Sequence, residues 1–296
     1  GIIMNINHKD FELSFEIFPP RDLNASFKLW RTIEELAKLT PKFISVTYGA
    51  GGSTRELSQT ALSIIAKEYK LEVAGHLTCM GSSKKEVMKI AEKYAGLGAK
   101  RIVALRGDLP TKNNESNINK DVFSSSIELI SALKSTGNFQ ISVAAYPNIH
   151  PEAKSEQSDL DMLRAKFDAG ADNAITQFFF EAEDFLRFRD KCRSVGINQK
   201  IIPGILPIEN WAKTKKFIKR CGLVAPEWMN KSYENCRNKE EQTLLSKAIC
   251  TEICDELIQE GINSLHFYTL NDPYMTREVC KALGRKFNSS YLSYVA

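Results

Sequence analysis

Eight short apolar runs recur along the 296-residue chain, and a helix-like stretch follows each of them. The runs are rich in Val, Ile, Phe and Thr, residues typical of strands buried on both faces. In chain order they are Glu12–Phe18, Phe43–Tyr48, Glu72–Thr78, Arg101–Arg106, Gln140–Tyr146, Asn173–Phe178, Lys200–Leu206 and Ser264–Leu270. Eight strands that alternate with helices predict an α/β fold, a single (β/α)8 TIM barrel.

The stretches between the runs carry apolar residues at helical spacing. Three such stripes are Leu29, Ile33 and Leu36; Leu57, Ala61 and Ile64; and Ile249, Ile253 and Leu257. A polar, Asn-rich insert, Thr111–Lys120, predicts a surface loop after the fourth run. Since no linker composition divides the chain, residues 1–296 are predicted to form one catalytic domain. Residues 1–3, ahead of Met4, are interpreted as an expression remnant.

Composition limits the class of partner. The 40 basic and 36 acidic residues are spread along the chain and give a net charge of only +4, which disfavours nucleic acid and membrane surfaces. No apolar run approaches the roughly 18 residues needed to span a bilayer, and no signal peptide precedes the first run. The seven cysteines are odd in number and form no C-x-x-C pair, which predicts reduced thiols in the cytoplasm. Cys250 and Cys254 share a helix face, but no further ligand spacing completes a metal site, so none is predicted.

A barrel of this kind places its active site at the C-terminal ends of its strands. The residues found there that could carry chemistry are Glu16, Thr47, His76, Asp108, Tyr146, Gln177 and Tyr268.

Glu16 lies in the first run, where alternation puts it on one face with Ser14 and Phe18. If that face points into the barrel, the carboxyl group meets little water, its pKa rises, and it suits a general acid. The alternative is a buried glutamate that pairs structurally with Lys or Arg.

Other strand ends offer charged and imidazole groups. Arg106, Gly107 and Asp108 close the fourth run, where the glycine permits close approach of a ligand, Arg106 suits a phosphate and Asp108 suits a cationic centre. A strand-end turn with an ion pair explains the same pattern. His76 and His150 lie near strand ends, and each could instead be a hydrogen-bonded structural residue.

Asp159, Met162 and Lys166 share one edge of the helix that follows the fifth run, and this edge could hold ribose and pyrophosphate. A solvated helix face is the alternative. The amide of Gln177 supplies a donor and an acceptor, which suits a heterocycle edge, whereas Phe217 could be a core residue.

Nine strings of residues are similar to one family. They are Ser14–Pro20, Pro41–Ala50, His76–Cys79, Ile102–Pro110, Ile141–Pro147, His150–Ser155, Ala174–Phe180, Ile201–Pro207 and His266–Asn271. They fall in order across nearly the whole chain. Together they resemble methylenetetrahydrofolate reductase of the bacterial type, a flavin-dependent barrel enzyme.

The resemblance implies FAD-dependent reduction of 5,10-methylenetetrahydrofolate to 5-methyltetrahydrofolate, with NADH or NADPH as the hydride donor in a ping-pong relay. It also implies a homo-oligomer, a dimer or a tetramer. Glu16 matches the general acid that assists ring opening to a 5-iminium cation, and Asp108 matches the carboxylate that stabilises this cation. Gln177 and Tyr268 are expected to bind the folate, and Phe217 to stack on the folate or the nicotinamide.

The resemblance further implies a set of cofactor-binding positions. These are Thr47, Tyr48, Ala50, His76, Arg106, Gly107, Asp108, Tyr146, His150, Ala153, Asp159, Met162 and Lys166. Ala171 matches a helix-end position linked to flavin retention. Two positions depart from the family pattern: Asp272 replaces Arg, and Lys213 replaces Gln. Lys213 or Arg277 is therefore expected to bind the glutamate carboxylates of the folate.

Two other functions fit the same strings. One is a folate-binding barrel that presents methyl-folate to a methyltransferase without redox chemistry. The other is a flavin-binding scaffold that has lost catalysis. Absorbance of the purified protein with FAD, and its bleaching by NADH, would separate these alternatives from a reductase.

Overall fold

The computed structural model describes residues 11–48, 52–79, 81–105, 120–148 and 153–290, with side chains in the second range from Arg55 onward. Five predicted site residues lie outside this part of the chain: Ala50, Arg106, Gly107, Asp108 and His150. Most of the predicted Asn-rich loop, residues 111–119, also lies outside it.

The described elements alternate between strands and helices. The strands are β1 Glu12–Ile17, β2 Phe43–Val46, β3 Val73–Leu77, β4 Arg101–Ala104, β5 Gln140–Ala145, β6 Asn173–Thr176, β7 Lys200–Ile202, β8 Gly204–Ile205 and β9 Ser264–Tyr268. The helices are α1 Leu23–Ala37, α2 Gly52–Lys67, α3 Lys84–Gly96, α4 Ser126–Ser135, α5 Glu156–Asp168, α6 Ala182–Ser194, α7 Trp211–Arg220, α8 Glu227–Glu234, α9 Lys239–Gln259 and α10 Tyr274–Ala282.

All strand pairs are parallel, and the sheet runs β7-β6-β5-β4-β3-β2-β1-β9-β8. The seventh predicted run forms two short strands, β7 and β8, which stand at the two ends of this order. Pro203 separates them, because it has no N–H to donate to a sheet. The carbonyl of Pro203 nevertheless accepts from the N–H of His266 at 3.0 Å. The two edges are therefore one continuous segment, and the sheet closes. The predicted TIM barrel is confirmed, with its seventh strand split at a proline.

Strand residues alternate between two apolar layers. Leu13, Phe15 and Ile17 of β1 are almost fully buried in the cluster that joins the strands to the surrounding helices. A second, smaller cluster fills the barrel interior and consists of Phe43, Ala74, Val103, Ile175 and Ile202. Because side chains of a strand alternate between faces, Ser14 and Glu16 face this interior, as predicted.

The predicted helix stripes agree with the structure in two of three cases. Leu29, Ile33 and Leu36 are fully buried on α1. On α2 the prediction was right for Ala61, which is buried, but wrong for Leu57, which is 37% exposed, and for Ile64, which is half-buried. Leu62 and Ile65 are fully buried instead. The helix packs through the neighbouring face, which periodicity in a short stretch does not distinguish. Within the described ranges, no helix is both long enough and apolar enough to cross a membrane.

Candidate active site at the barrel mouth

Glu16 lies at the last inward-facing position of β1, paired in register with Ser45 of β2 and Tyr268 of β9. Its side chain is 20% exposed. Burial raises the pKa of the carboxyl group to about 8, since the charged form loses water. Glu16 is therefore protonated at neutral pH. In the described ranges no Lys or Arg pairs with it, which argues against the structural ion pair.

His76 is the polar neighbour of Glu16. Its Nε2 lies 3.5 Å from Oε1 of Glu16. Burial lowers the pKa of His76 to about 4, so the imidazole is neutral at pH 7. A neutral acid therefore faces a neutral imidazole, and the pair can hold or pass one proton without a net buried charge. The His76 carbonyl accepts from the hydroxyl of Tyr94 at 2.9 Å, which fixes the end of β3.

A second histidine lies deeper in the barrel. Nδ1 of His266 is 2.7 Å from Oγ of Ser14, and both residues are buried. Burial, and then the neighbouring His76, lower the pKa of His266 to about 3. The floor below Glu16 is thus polar but uncharged, which keeps the proton on the carboxyl group.

Tyr268 crosses the barrel mouth from β9 to β6. Its hydroxyl donates to the carbonyl of Thr176 at 2.7 Å. The phenol fits only because residue 204 is glycine: a Cβ there would lie 2.1 Å from the Thr176 carbonyl oxygen and 2.6 Å from the Tyr268 ring. Sequence reasoning missed this role of Gly204, which the string Pro203-Gly204 at a strand break could have indicated.

Gln177 and Phe217, two of the predicted substrate-binding residues, lie on the Tyr268 side of the mouth. Oε1 of Gln177 accepts from the N–H of Phe178 at 3.1 Å, which identifies the oxygen and leaves the amide NH2 for other partners. The ring of Phe178 lies 5.8 Å from Phe217 and 6.4 Å from Tyr268. Phe217 is half-buried, so it retains an exposed part above this cluster. Lys213, by contrast, is exposed on the first turn of α7.

Four predicted cofactor-binding residues line one pocket beside the end of β5. They are Tyr146, Asp159, Met162 and Lys166, joined there by Ala144, Ala145, Leu163 and Phe188. Lys166 is only 3% exposed, so the alternative of a solvated helix face is wrong for it. A buried ammonium group and a half-buried carboxylate suit contacts with phosphate and ribose. The pocket itself has a volume of only about 10 Å³, room for about one water molecule, so a dinucleotide would lie against it and not inside it. Ala153 is half-buried just before the N-cap Ser155 of this helix.

Thr47 and Tyr48 lie beyond the end of β2 and are both half-buried. The Thr47 carbonyl accepts from Oγ of Ser58 at 2.8 Å, and the Tyr48 hydroxyl accepts from Nε of Arg55 at 2.7 Å. Ser58 and Arg55 of α2 therefore fix Thr47 and Tyr48 at the β2 side of the barrel mouth. Ala171 is buried directly after α5.

The region expected to hold the folate tail is acidic. Asp272 accepts from the N–H of Tyr274 at 3.2 Å, and Oε1 of Glu209 accepts from the N–H of Met275 at 2.7 Å, so both carboxyl groups cap α10. Burial, with Asp272 nearby, raises the pKa of Glu209 to about 7. Arg277 is already paired with Glu35 at 2.9 Å, which disfavours it as a tail ligand. Glu209 was missed, although an acidic residue three positions after a predicted strand end was a usable signal.

The chain is similar to known proteins over most of its length. A family model described as methylenetetrahydrofolate reductase matches residues 2–284. The 5,10-methylenetetrahydrofolate reductase of Salmonella typhimurium is 44% identical over 92% of this chain and 90% of its own length. That of Pectobacterium carotovorum is 42% identical with the same coverage.

A solved structure shares the fold at lower similarity. It is an uncharacterized protein from Clostridium thermocellum that binds two copies of 5-methyl-5,6,7,8-tetrahydrofolic acid. It aligns with a TM-score of 0.62 at 16% identity, over 94% of this chain and 96% of that one. The match of the family model to nearly the whole chain, and identities above 40% over most of it, show that this chain belongs to the methylenetetrahydrofolate reductase family of oxidoreductases.

Proposed function

We propose that this protein reduces 5,10-methylenetetrahydrofolate to 5-methyltetrahydrofolate, with FAD as the bound cofactor and NADH or NADPH as the electron donor in a ping-pong reaction. The observation that carries the proposal is the neutral Glu16–His76 pair at the barrel mouth, 3.5 Å apart. A protonated carboxyl group at neutral pH is what the ring-opening step requires. The activity of the curated relatives supports the same reaction.

The residues present fit FAD. Lys166, 3% exposed, and Asp159 lie together with Tyr146 and Met162 beside the end of β5, and their charged groups suit the pyrophosphate and ribose. His76, Thr47 and Tyr48 would border the ring system at the mouth. Arg106, Gly107, Ala50, His150 and Ala153 are proposed to complete the cofactor site from their family positions. When bound, FAD would accept a hydride from the nicotinamide and supply it to the folate.

Glu16 is proposed as the general acid. It would donate its proton to the ring nitrogen that leaves as the five-membered ring opens, so that the methylene carbon remains on the other nitrogen as an iminium group. His76 would hold the carboxyl group. The carboxylate would take up a new proton from solvent after each turnover, because the first proton leaves on the product. Because its imidazole is neutral, it adds no positive charge beside the developing cation.

Asp108 is proposed to stabilise the iminium cation, from its family position. A carboxylate about 4 Å from a cation contributes on the order of 4 kcal/mol at an effective dielectric near 20. The amide NH2 of Gln177 would bind the pterin edge, and Phe217 would stack on the folate. Tyr268 would close the mouth beside them. Lys213 is the proposed ligand for the tail carboxylates.

We further propose that the enzyme works in the cytoplasm as a homo-oligomer. The seven cysteines are free thiols, which suits a reducing compartment.

Anaerobic titration tests the reaction directly. The protein reconstituted with FAD is mixed with NADH or NADPH, and the flavin absorbance is followed before and after addition of methylenetetrahydrofolate. Bleaching by one nicotinamide, followed by reoxidation with formation of 5-methyltetrahydrofolate, is the expected result. Protein that does not bind FAD would indicate a folate-presenting module instead, and bound flavin that neither nicotinamide bleaches would indicate a scaffold without catalysis.

A further inference from the structure

The segment Thr269–Asn271, just after β9, is bound to the end of β1. Oγ1 of Thr269 donates to the carbonyl of Glu16 at 2.7 Å. The side chain of Asn271 bonds both backbone groups of Phe18: Oδ1 accepts from the N–H at 3.0 Å, and Nδ2 donates to the carbonyl at 2.9 Å. These bonds fix the backbone on both sides of Ile17.

The segment adopts an uncommon backbone conformation. Leu270 has φ +50° and Asn271 has φ +61°, in the left-handed region that L-residues other than Asn and Asp rarely adopt. The turn is held by its own contacts, since the Asn271 carbonyl accepts from Oγ1 of the buried Thr32 on α1 at 2.9 Å, and its N–H donates to Oγ1 of Thr269 at 3.2 Å. Such strain persists only where the surroundings determine it, and it concentrates at functional sites.

The bonds from Thr269 and Asn271 hold the chain at and beyond the end of β1, where the hydrogen bonds of the sheet stop. Strand β1 ends at Ile17, whose carbonyl accepts from the N–H of Thr47 at 3.0 Å, so the ladder holds β1 only that far. Phe18 lies beyond the strand, and its N–H and carbonyl are both bonded by one side chain. The carboxyl group of Glu16, two residues before Phe18, therefore projects from backbone that Thr269 and Asn271 fix at the end of the strand.

We propose that Asn271, together with Thr269, is a positioning residue that holds the Glu16–Phe18 backbone and thereby aims the Glu16 carboxyl group at the substrate and at His76. This inference rests on the proposed function of Glu16 and deepens it. Asn271 bonds the backbone of Phe18, two residues after the general acid, and does not touch the reacting atoms, so it acts through Glu16.

The test separates the side chain of Asn271 from its backbone conformation. Asn271→Gly keeps a positive φ without strain but removes both bonds to Phe18. The matched control is Lys70→Gly, at an exposed residue with φ +53° in the loop between α2 and β3, away from the mouth. Thr269→Val removes the hydroxyl bond to the Glu16 carbonyl and leaves only the longer bond from the backbone N–H of residue 269, at 3.3 Å. Thr269→Ser keeps a hydroxyl group and should preserve the wild-type behaviour.

Two readouts are compared. The first is the titration of the Glu16 carboxyl carbon in 13C-glutamate-labelled protein, assigned by its absence in Glu16→Gln. The second is the rate of the folate step. In Asn271→Gly and Thr269→Val we expect the carboxyl midpoint to fall by about one pH unit, because water reaches the displaced group. We also expect kcat to fall about 10- to 100-fold with KM within about twofold. Lys70→Gly and Thr269→Ser should behave as the wild type.

A Glu16 titration in Asn271→Gly that matches the wild type would overturn the positioning role, whatever the rate. If the midpoint moves in Asn271→Gly but the wild-type protein does not reduce methylenetetrahydrofolate, the positioning role stands and the proposed function fails.

Discussion

Oε1 of Glu16 lies 3.5 Å from Nε2 of His76, and burial moves their pKa values in opposite directions, to about 8 and about 4. Between those values both groups are neutral. At physiological pH the Glu16 carboxyl group therefore carries a proton that it can transfer, and neither member of the pair is charged.

Glu16 should make the free energy of unfolding depend on pH at pH values above those where a carboxyl group ordinarily titrates. Its folded pKa is raised, so the folded state holds a proton that the unfolded state has released, and stability falls as pH rises from about 4.5 to about 8. The loss should be on the order of a few kcal/mol, an upper limit for a group that is 20% exposed. Urea unfolding of wild type and Glu16→Gln at pH 5 and pH 8 measures it. Equal pH slopes in both proteins would show that Glu16 is ionised in the fold.

The two buried histidines should make the protein acid-labile. The pKa values of His76 and His266 are lowered to about 4 and about 3, so below about 6.5 the unfolded state takes up protons that the folded state does not. Stability should fall as pH decreases from about 6.5 to about 4. His266→Gln should lessen this fall, measured by urea unfolding at pH 7 and pH 4.5. A variant with the same acid dependence as the wild type would exclude His266 as a cause.

Gly204→Ala should destabilise the barrel severely. The new Cβ would lie 2.1 Å from the Thr176 carbonyl oxygen and displace Tyr268. Because backbone cannot move aside cheaply, the loss should be about 3 kcal/mol or more, read from thermal or urea unfolding. Gly96→Ala is the control, since a Cβ at Gly96 of α3 meets nothing within 4 Å. A Gly204→Ala protein as stable as this control would contradict the packing described for Tyr268.

Lys166→Met should weaken binding of FAD. A charge-assisted bond to a phosphate contributes about 1.5–3 kcal/mol, so the dissociation constant should rise about 10- to 100-fold. Flavin fluorescence titration measures it, and far-ultraviolet circular dichroism confirms folding. Arg164→Met, on the exposed side of the same helix, is the matched control. Unchanged affinity in Lys166→Met would remove Lys166 from the cofactor site.

The sequence alone predicted the strands well, because each is a short β-branched run bounded by polar residues. It also placed Glu16 on the inward face, since alternation along a strand is strict. It did not predict the split at Pro203, although a proline within a strand run signals a break because it has no N–H to donate. Nor did it predict that Lys166 is buried, because helical spacing does not say how closely the next helix packs.

The residues that sequence reasoning missed, Gly204, Glu209 and Asn271, all contact backbone atoms of distant residues. Asn271 bonds the main chain of Phe18 from 253 positions away, a pairing that local patterns do not encode. Asn followed by Asp272-Pro273 did signal a turn, but the identity of its partner required the closed barrel.

The most direct measurement is the rate of each half-reaction in Glu16→Gln, followed by anaerobic rapid mixing with FAD bound. Glutamine fills the same space but cannot donate the proton. Reduction by the nicotinamide should stay within a few-fold of the wild type, whereas reoxidation by methylenetetrahydrofolate should slow by at least about 100-fold. Reoxidation at the wild-type rate would contradict the role of Glu16 as the general acid.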